Sequence, residues 1–397
     1  VGGGYHGKST LLRTIAAGVY DKVPGDGREL CVTVQNALTV RAEDGRYVNR
    51  CNIRAFISDL PAPLGVSPPD TTKFSTMEAS GSTSQAANVS EAIEMGASAL
   101  LVDEDVSAAN FMARDGRMRA LVMDESITPL LYRVNGIFNT LGVSFVVVVG
   151  GVGDWLDVPD AVILMNKYVA SDATKKARSI SKQFSYGHIE YAGRGVVHRL
   201  LWEKSGTPLP RRPIDLSYEQ FADREISVDG SHRAALKETN LEDDEVGTFD
   251  MSRCEQLTGG KFSVYHCAFA LRSVIRLSQI EKGLGLRELL EKMDLQLDKQ
   301  ENIFGSLSAP ATKENDVESR KYLDKAWQHL VKSQGIAFRC RRFEIGMALT
   351  RIRGLEFEEL PVVEDEAERE AQLLELRKKK ELEEIWNARR KRRTFGT

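Results

Sequence analysis

Cysteine is scarce in this sequence, and its arrangement excludes two kinds of stabilisation. The five cysteines, Cys31, Cys51, Cys254, Cys267 and Cys340, form no CxxC pair. Neither a zinc knuckle nor a disulfide framework is expected, and a reducing compartment suits them better. Their ordinary role would be that of small buried apolar residues. The six histidines show no HExxH spacing, which argues against any catalytic metal beyond one that arrives with a nucleotide. Long hydrophobic runs are missing too. The longest, VSFVVVVGGVG at 143–153, is shorter than the roughly 20 residues of a membrane-spanning helix, so no membrane partner is expected. It reads instead as a central parallel strand. No internal repeat is found. The formal net charge of −3 names no partner, although the sign is uneven, acidic at 242–245 and basic at 389–393.

What the chain does have is length and pattern. Its 397 residues, 42% of them hydrophobic, can bury a large core and suffice for two or three domains. Across 1–170, short apolar runs (LCVTV, ALLVDED, FVVVV, AVILM) alternate with helical patterns, as buried strands of a layered α/β domain should. Residues 171–250 hold a basic segment and a polar insertion, with 219–248 expected as loop. From 251 to 360 apolar residues recur in threes and fours, which predicts a mainly helical C-terminal domain. Residues 361–397 read as a charged helix with a basic tail.

The first ten residues, VGGGYHGKST, fit GxxxxGK[ST] through Gly2, Gly3, Gly4, Tyr5, His6, Gly7, Lys8 and Ser9, with Thr10 following. In such a loop, successive backbone N–H groups point at the β- and γ-phosphates, Lys8 adds a positive charge, and the Ser9 hydroxyl can hold Mg²⁺. A phosphate loop normally follows a buried strand, and here only Val1 precedes it. An N-terminal part beyond these residues is therefore expected.

Two further motifs point to an ATPase. The strand-like ALLVDED ends in Asp103-Glu104, which would place one carboxylate on the Mg²⁺ shell and the next beside an attacking water. Upstream, Ser80, Gly81, Ser82, Thr83, Ser84 and Gln85 form a small-residue turn leading into a helix. Free N–H groups there offer a second anion site. One nucleotide rarely needs two phosphate sites in one chain. A dimer does, if the second site closes over the γ-phosphate held by the partner.

The order of loop, signature turn and Asp-Glu resembles the ABC-type ATPases. The segments RAEDGR at 41–46, SGSTSQAANVSEAIEMGASALLVDEDVSAANFMARDGRM at 80–118 and VVVGGVGDWLDVPDAVILM at 147–165 are similar to the predicted ABC-class ATPases of bacteria and eukaryotes. FDMSRCEQLTGG at 249–260 and RRFEIGMALTRIRGL at 341–355 extend the likeness. Within that family the sequence resembles a trypanosomatid mitochondrial branch associated with RNA editing. The resemblance implies an ABC-type P-loop nucleotide-binding domain, ATP and Mg²⁺ as cofactors, and a homodimer that sandwiches ATP. It also implies an RNA-binding pore, ribonucleoprotein or editing-complex partners and a mitochondrial location. Glu104 and Lys8 would be catalytic, Ser9 and Asp103 would hold the metal, and Ser107 to Asn110 would form the subunit-contacting loop. The nucleotide would touch Gly2 to Thr10 and the partner's Ser80, Gly81, Ser82 and Gln85. ABC ATPases of transport and repair usually carry a histidine after the strand following Asp-Glu. Here that place reads Gly150-Gly151-Val152-Gly153-Asp154, so slow turnover or another γ-phosphate sensor is expected.

Basic segments suggest what the ATPase acts on. Between 171 and 212 lie nine Lys or Arg against three acids, with Phe184, Tyr186, Tyr191 and Trp202 interleaved. Lys175, Lys176, Arg178, Lys182, Arg194, Arg199, Arg211 and Arg212 are the candidate RNA contacts, and the aromatics are candidate stacking platforms. Each aromatic has the plainer alternative of a core position. A protein-only assembly switch remains the alternative function.

Overall fold

Glycine-rich turns and short β-branched runs punctuate the first part of this chain, where strands alternate with helices. The computed structural model describes residues 1–22, 24–58, 60–122, 125–184, 211–214, 225–229, 233–237, 246–257, 261–281, 283–301 and 340–360. It opens with helix α1 (Lys8–Ala17) and strands β1 (Ala37–Val40), β2 (Arg46–Cys51) and β3 (Phe74–Ala79). Helix α2 (Gly81–Glu94), β4 (Ala99–Asp103), the short helices α3 (Ala109–Met112) and α4 (Gly116–Leu121), α5 (Val134–Leu141) and β5 (Ser144–Val148) follow.

Three strands form a parallel sheet in the order β1-β4-β5, with Ala99 opposite Ala37 and Ser144. The two-residue period of β4 decides how helices cover it. Leu100 and Val102 face a large core with Leu38, Val40, Ala87 and Val89, whereas Leu101 turns the other way to meet Leu12 and Ala16 of α1 with Val148. An α/β layering results, with α1 on one face.

A hairpin of β6 (Ile163–Asn166) and β7 (Val169–Asp172) is antiparallel and touches the start of the chain through a Gly2 to Met165 bridge. Helix α6 (Thr174–Gln183) follows. Strand β8 (Arg211–Ile214) pairs with β12 (Glu356–Glu359), and β9 (Glu225–Asp229), β10 (Arg233–Lys237) and β11 (Thr248–Asp250) make a three-stranded antiparallel sheet. Helices α7 (Lys261–Ile280), α8 (Leu286–Glu301) and α9 (Arg342–Leu349) complete the described elements. No helix among the described residues is long and apolar enough to cross a membrane.

Four expectations change. LCVTV is not a strand: Leu30 and Val32 are almost fully exposed, and the sheet begins at the next run, ALTV. FVVVV lies at the edge of the described sheet rather than its centre. AVILM enters the antiparallel hairpin, and described parts of the expected loop at 219–248 are β9 and β10. Val264, Leu271, Leu289 and Phe343, from the segment 251–360, share one apolar cluster with Val48 and Ala87. Val1–Glu359 is one compact unit. The charged helix and tail expected at 361–397 lie outside the described residues.

Buried ion pairs tie α2 to the C-terminal part of this unit. Arg46 pairs with Glu91, Arg351 with Glu43 at 2.6 Å, and Arg211 with Glu94 at 2.7 Å and Glu91 at 3.4 Å. Asn88 joins them, accepting from Arg46 and Arg351 and donating to Glu43. Three guanidinium groups thus meet three carboxylates, as burial requires. Burial alone would raise the Glu43 carboxyl, but Arg351 and Arg46 outweigh it and hold Glu43 below its ordinary range. Glu94 moves upward, because there burial outweighs the attraction of Arg211.

Candidate functional site

The opening loop is shaped by close approach of the β6–β7 hairpin. At Gly2 a Cβ atom would lie 2.4 Å from the Met165 carbonyl oxygen. Gly7 has φ 92°, and a Cβ there would lie 2.6 Å from the Tyr168 ring. Only glycine meets both demands. Gly7 then caps α1, with Leu11 N–H donating to its carbonyl at 3.0 Å. Lys8, the first helical residue, is buried and bends back so that Nζ donates to Gly3 O at 2.9 Å. Gly3, Gly4 and Tyr5 are exposed, as is Thr10, while Ser9 is half-buried. His6 is tied to the hairpin turn: Lys167 N–H donates to its Nδ1 at 3.1 Å, and Tyr168 N–H to its carbonyl at 3.2 Å. It is a loop residue held against the β6–β7 turn.

Parallel pairing of β4 with β5 brings the second motif to the same place. Asp103 sits opposite Val148, so the chain leaving β5 passes over Glu104. Glu104 Oε2 accepts two backbone hydrogen bonds, from Gly150 N–H at 2.6 Å and from Gly151 N–H at 2.9 Å. Gly150 also adjoins the phosphate loop, since a Cβ there would stand 3.5 Å from Lys8 Nζ. Asp103 is buried and accepts from Asp105 N–H at 3.2 Å. Lys8, Glu104 and the Gly150-Gly151 turn therefore meet around one point. Nothing in the sequence reading assigned the two glycine amides a role. The signal was the pair of glycines closing an apolar strand.

The signature turn lies elsewhere. Ser80 caps α2, its Oγ accepting from Thr83 N–H at 3.4 Å. Gly81 and Ser82 open into a cavity of about 460 Å³ lined also by Arg41, Asp44, Ser107 and Arg253. Neither the phosphate loop nor Glu104 lines it. Gln85 does not face it: fully buried, it donates to Ser107 Oγ at 2.9 Å and accepts from Ala108 N–H at 2.8 Å. Its expected contact with nucleotide is corrected to a brace under the loop at 107–110, which Ser82 also holds by donating to Asn110 at 2.7 Å.

The basic candidates separate. Lys175, Lys176, Arg178 and Lys182 are exposed on α6, with Phe184 at its end also exposed. Arg211 is buried among Glu91 and Glu94, and Arg212 pairs with Glu358 and donates to Ser278 O, so these two are occupied in holding the fold. They are withdrawn as RNA contacts. Arg194, Arg199, Tyr186, Tyr191 and Trp202 lie outside the described residues. All five cysteines are free thiols and four are buried.

Gln256 was not anticipated. Fully buried, it accepts from Thr39 N–H at 2.9 Å and donates to Ala16 O and Ala37 O at 3.2 Å each. It stitches the end of α1 to the edge of β1.

Comparison with known proteins agrees with this geometry. Residues 1–198 match the ABC_ATPase family model for its P-loop domain. An uncharacterized protein of Methanocaldococcus jannaschii, MJ1628, is 34% identical over 106 residues, covering 27% of this chain. The chain thus spans about a fifth of that relative's length, 22%.

Proposed function

We propose that this chain, whose residues 1–198 carry an ABC-class P-loop domain, hydrolyses ATP with Mg²⁺ and couples the reaction to closure of a homodimer. The observation that carries the reading is the meeting of Lys8, Glu104 and the Gly150-Gly151 turn at one end of a parallel sheet. Lys8 and the loop N–H groups would neutralise the β- and γ-phosphates and hold the nucleotide for in-line attack. The donor set suits a hard cation that prefers oxygen: the Ser9 hydroxyl and the Asp103 carboxylate would hold Mg²⁺. That ion would spread the charge developing on the phosphate oxygens. Glu104 would orient the attacking water and take its proton.

Dimer closure is supported by the separation of the two anion-binding features. The cavity at Gly81 and Ser82 shares no residue with the phosphate loop, so it suits the nucleotide of a second copy. The expected result for Glu104→Gln is retained ATP binding, hydrolysis lowered about 10²–10⁴-fold, and an ATP-dependent doubling of mass by light scattering. Hydrolysis at the wild-type rate would overturn the role of Glu104. A mass unchanged by ATP would overturn the sandwich.

The finer reading is that closure acts on RNA or a ribonucleoprotein, in mitochondrial editing as the resemblance suggests. The exposed cations of α6 support it, since the helix carries four of them with an aromatic at its end.

A further inference from the structure

Two adjacent backbone N–H groups that converge on one oxygen make an anion-binding site, because both dipoles point at a single negative charge. Gly150 and Gly151 do this, at 2.6 Å and 2.9 Å, and the oxygen belongs to the chain's own Glu104. Both glycines are exposed and Glu104 is half-buried, so the occupant can exchange with an anion from solution. A cation stands beside the pair. A Cβ on Gly150 would lie 3.5 Å from Lys8 Nζ and 3.9 Å from Gly2 O, so the amides border the pocket of the phosphate loop. At Gly151 a Cβ would meet Glu104 Oε1 at 3.5 Å, and glycine leaves that approach open.

We infer that the Gly150 and Gly151 N–H groups are the binding site for the terminal phosphate of a nucleoside triphosphate, in which the Glu104 carboxylate sits until the nucleotide arrives. This rests on the ATPase reading and deepens it. Two anions cannot share one pair of donors. When the γ-phosphate takes the amides, Glu104 is released toward the water it must activate, so the base is freed only when substrate is present. A diphosphate does not reach the pair and leaves Glu104 bound. The turn thereby senses the γ-phosphate through its backbone.

The test is nucleotide affinity of the full chain for ATPγS–Mg²⁺ and for ADP–Mg²⁺, by calorimetry, in wild type, Glu104→Gln and Glu104→Ala. Removing the competing carboxylate should tighten ATPγS binding about tenfold or more in Glu104→Ala, as loss of a charge-assisted competitor implies. ADP affinity should stay within about twofold by the same argument. Glu104→Gln keeps a neutral oxygen on the amides, so its gain should be clearly smaller. Simple charge repulsion would instead make Gln and Ala equal, and that result would overturn the competition. A second readout uses ¹⁵N-glycine labelling, with Gly150→Ala and Gly151→Ala to assign the two resonances. Both amide protons should lie downfield without nucleotide, move upfield in Glu104→Ala, and return downfield with ATPγS but not ADP. Normal ATPγS affinity with the two resonances unmoved would reduce the pair to a structural clasp. No ATPγS binding in any variant would instead remove the ATPase reading itself, and this inference with it.

Discussion

Tyr168 and Gly7 form a contact in which each residue makes sense only through the other. Lys167 and Tyr168, at the turn of the β6–β7 hairpin, have φ of 48° and 67°. Two-residue hairpin turns of this kind ordinarily use Asn-Gly, because left-handed backbone costs other residues about 1–2 kcal/mol each. Here the turn holds the phosphate loop through two hydrogen bonds to His6 and the Tyr168 ring over Gly7. Strain of this size persists where the surroundings over-determine it. Gly7→Ala should therefore lower both urea stability and ATP affinity, since its Cβ meets the ring while the backbone stays left-handed. Adding Tyr168→Gly removes the ring and relieves the turn, so the double variant should be closer to wild type than Gly7→Ala alone. Purely additive losses in that cycle would show that the two positions do not communicate.

At the scale of elements, the buried ion pairs decide how α2 is held. Glu43 and Arg46, from the turn before β2 and its first residue, and Glu91 and Glu94 of α2 meet Arg211 of β8 and Arg351 just after α9. Breaking one such pair costs about 3–5 kcal/mol, because a charge stays buried without its partner. Folding lowers the Glu43 pKa from its ordinary value of 4.5. Its contribution is therefore complete above that value and is lost as pH falls through the lowered one. Glu43→Gln should be destabilised by about 3–5 kcal/mol at neutral pH, and the gap to wild type should narrow as pH drops below about 4. A gap independent of pH would mean that the ion pair is not what Glu43 contributes. This network was only half legible in advance. RAEDGR stood out as a motif, yet its partners lie up to 308 residues away, and sequence spacing carries no trace of such a pairing. Asp103-Glu104 and the cap of α2 were legible because strand length, a serine cap and a carboxylate pair are local signals. LCVTV misled for the converse reason: its composition suits a strand, but pairing with a neighbour is a tertiary fact.

For the molecule as a whole, the question is whether the charge left on the surface is enough to hold RNA. Burial of Arg211 and the pairing of Arg212 with Glu358 remove them from that role, so among the described residues the candidates reduce to Lys175, Lys176, Arg178 and Lys182 on α6. Arg178 also donates to Asp160 O at 3.1 Å, which fixes the orientation of that helix. In a dimer the helix occurs twice, and phosphate contacts release counterions, so binding weakens steeply with salt. Four contacts to a single strand would give a slope of log affinity on log salt of about −3. The expected outcome for Lys175→Glu with Lys176→Glu is weaker RNA binding and a slope shallower by about 1–1.5, because two phosphate contacts are lost. ATP hydrolysis should be unchanged, since neither lysine lies in the phosphate loop or the signature cavity. Fluorescence anisotropy with labelled single-stranded RNA, double-stranded RNA and duplex DNA, in the Glu104→Gln background with and without ATP–Mg²⁺, measures this. An unchanged slope would move the RNA contacts away from α6. No binding to any nucleic acid, alongside ATP-dependent dimerisation, would make the chain an assembly switch that acts on a protein.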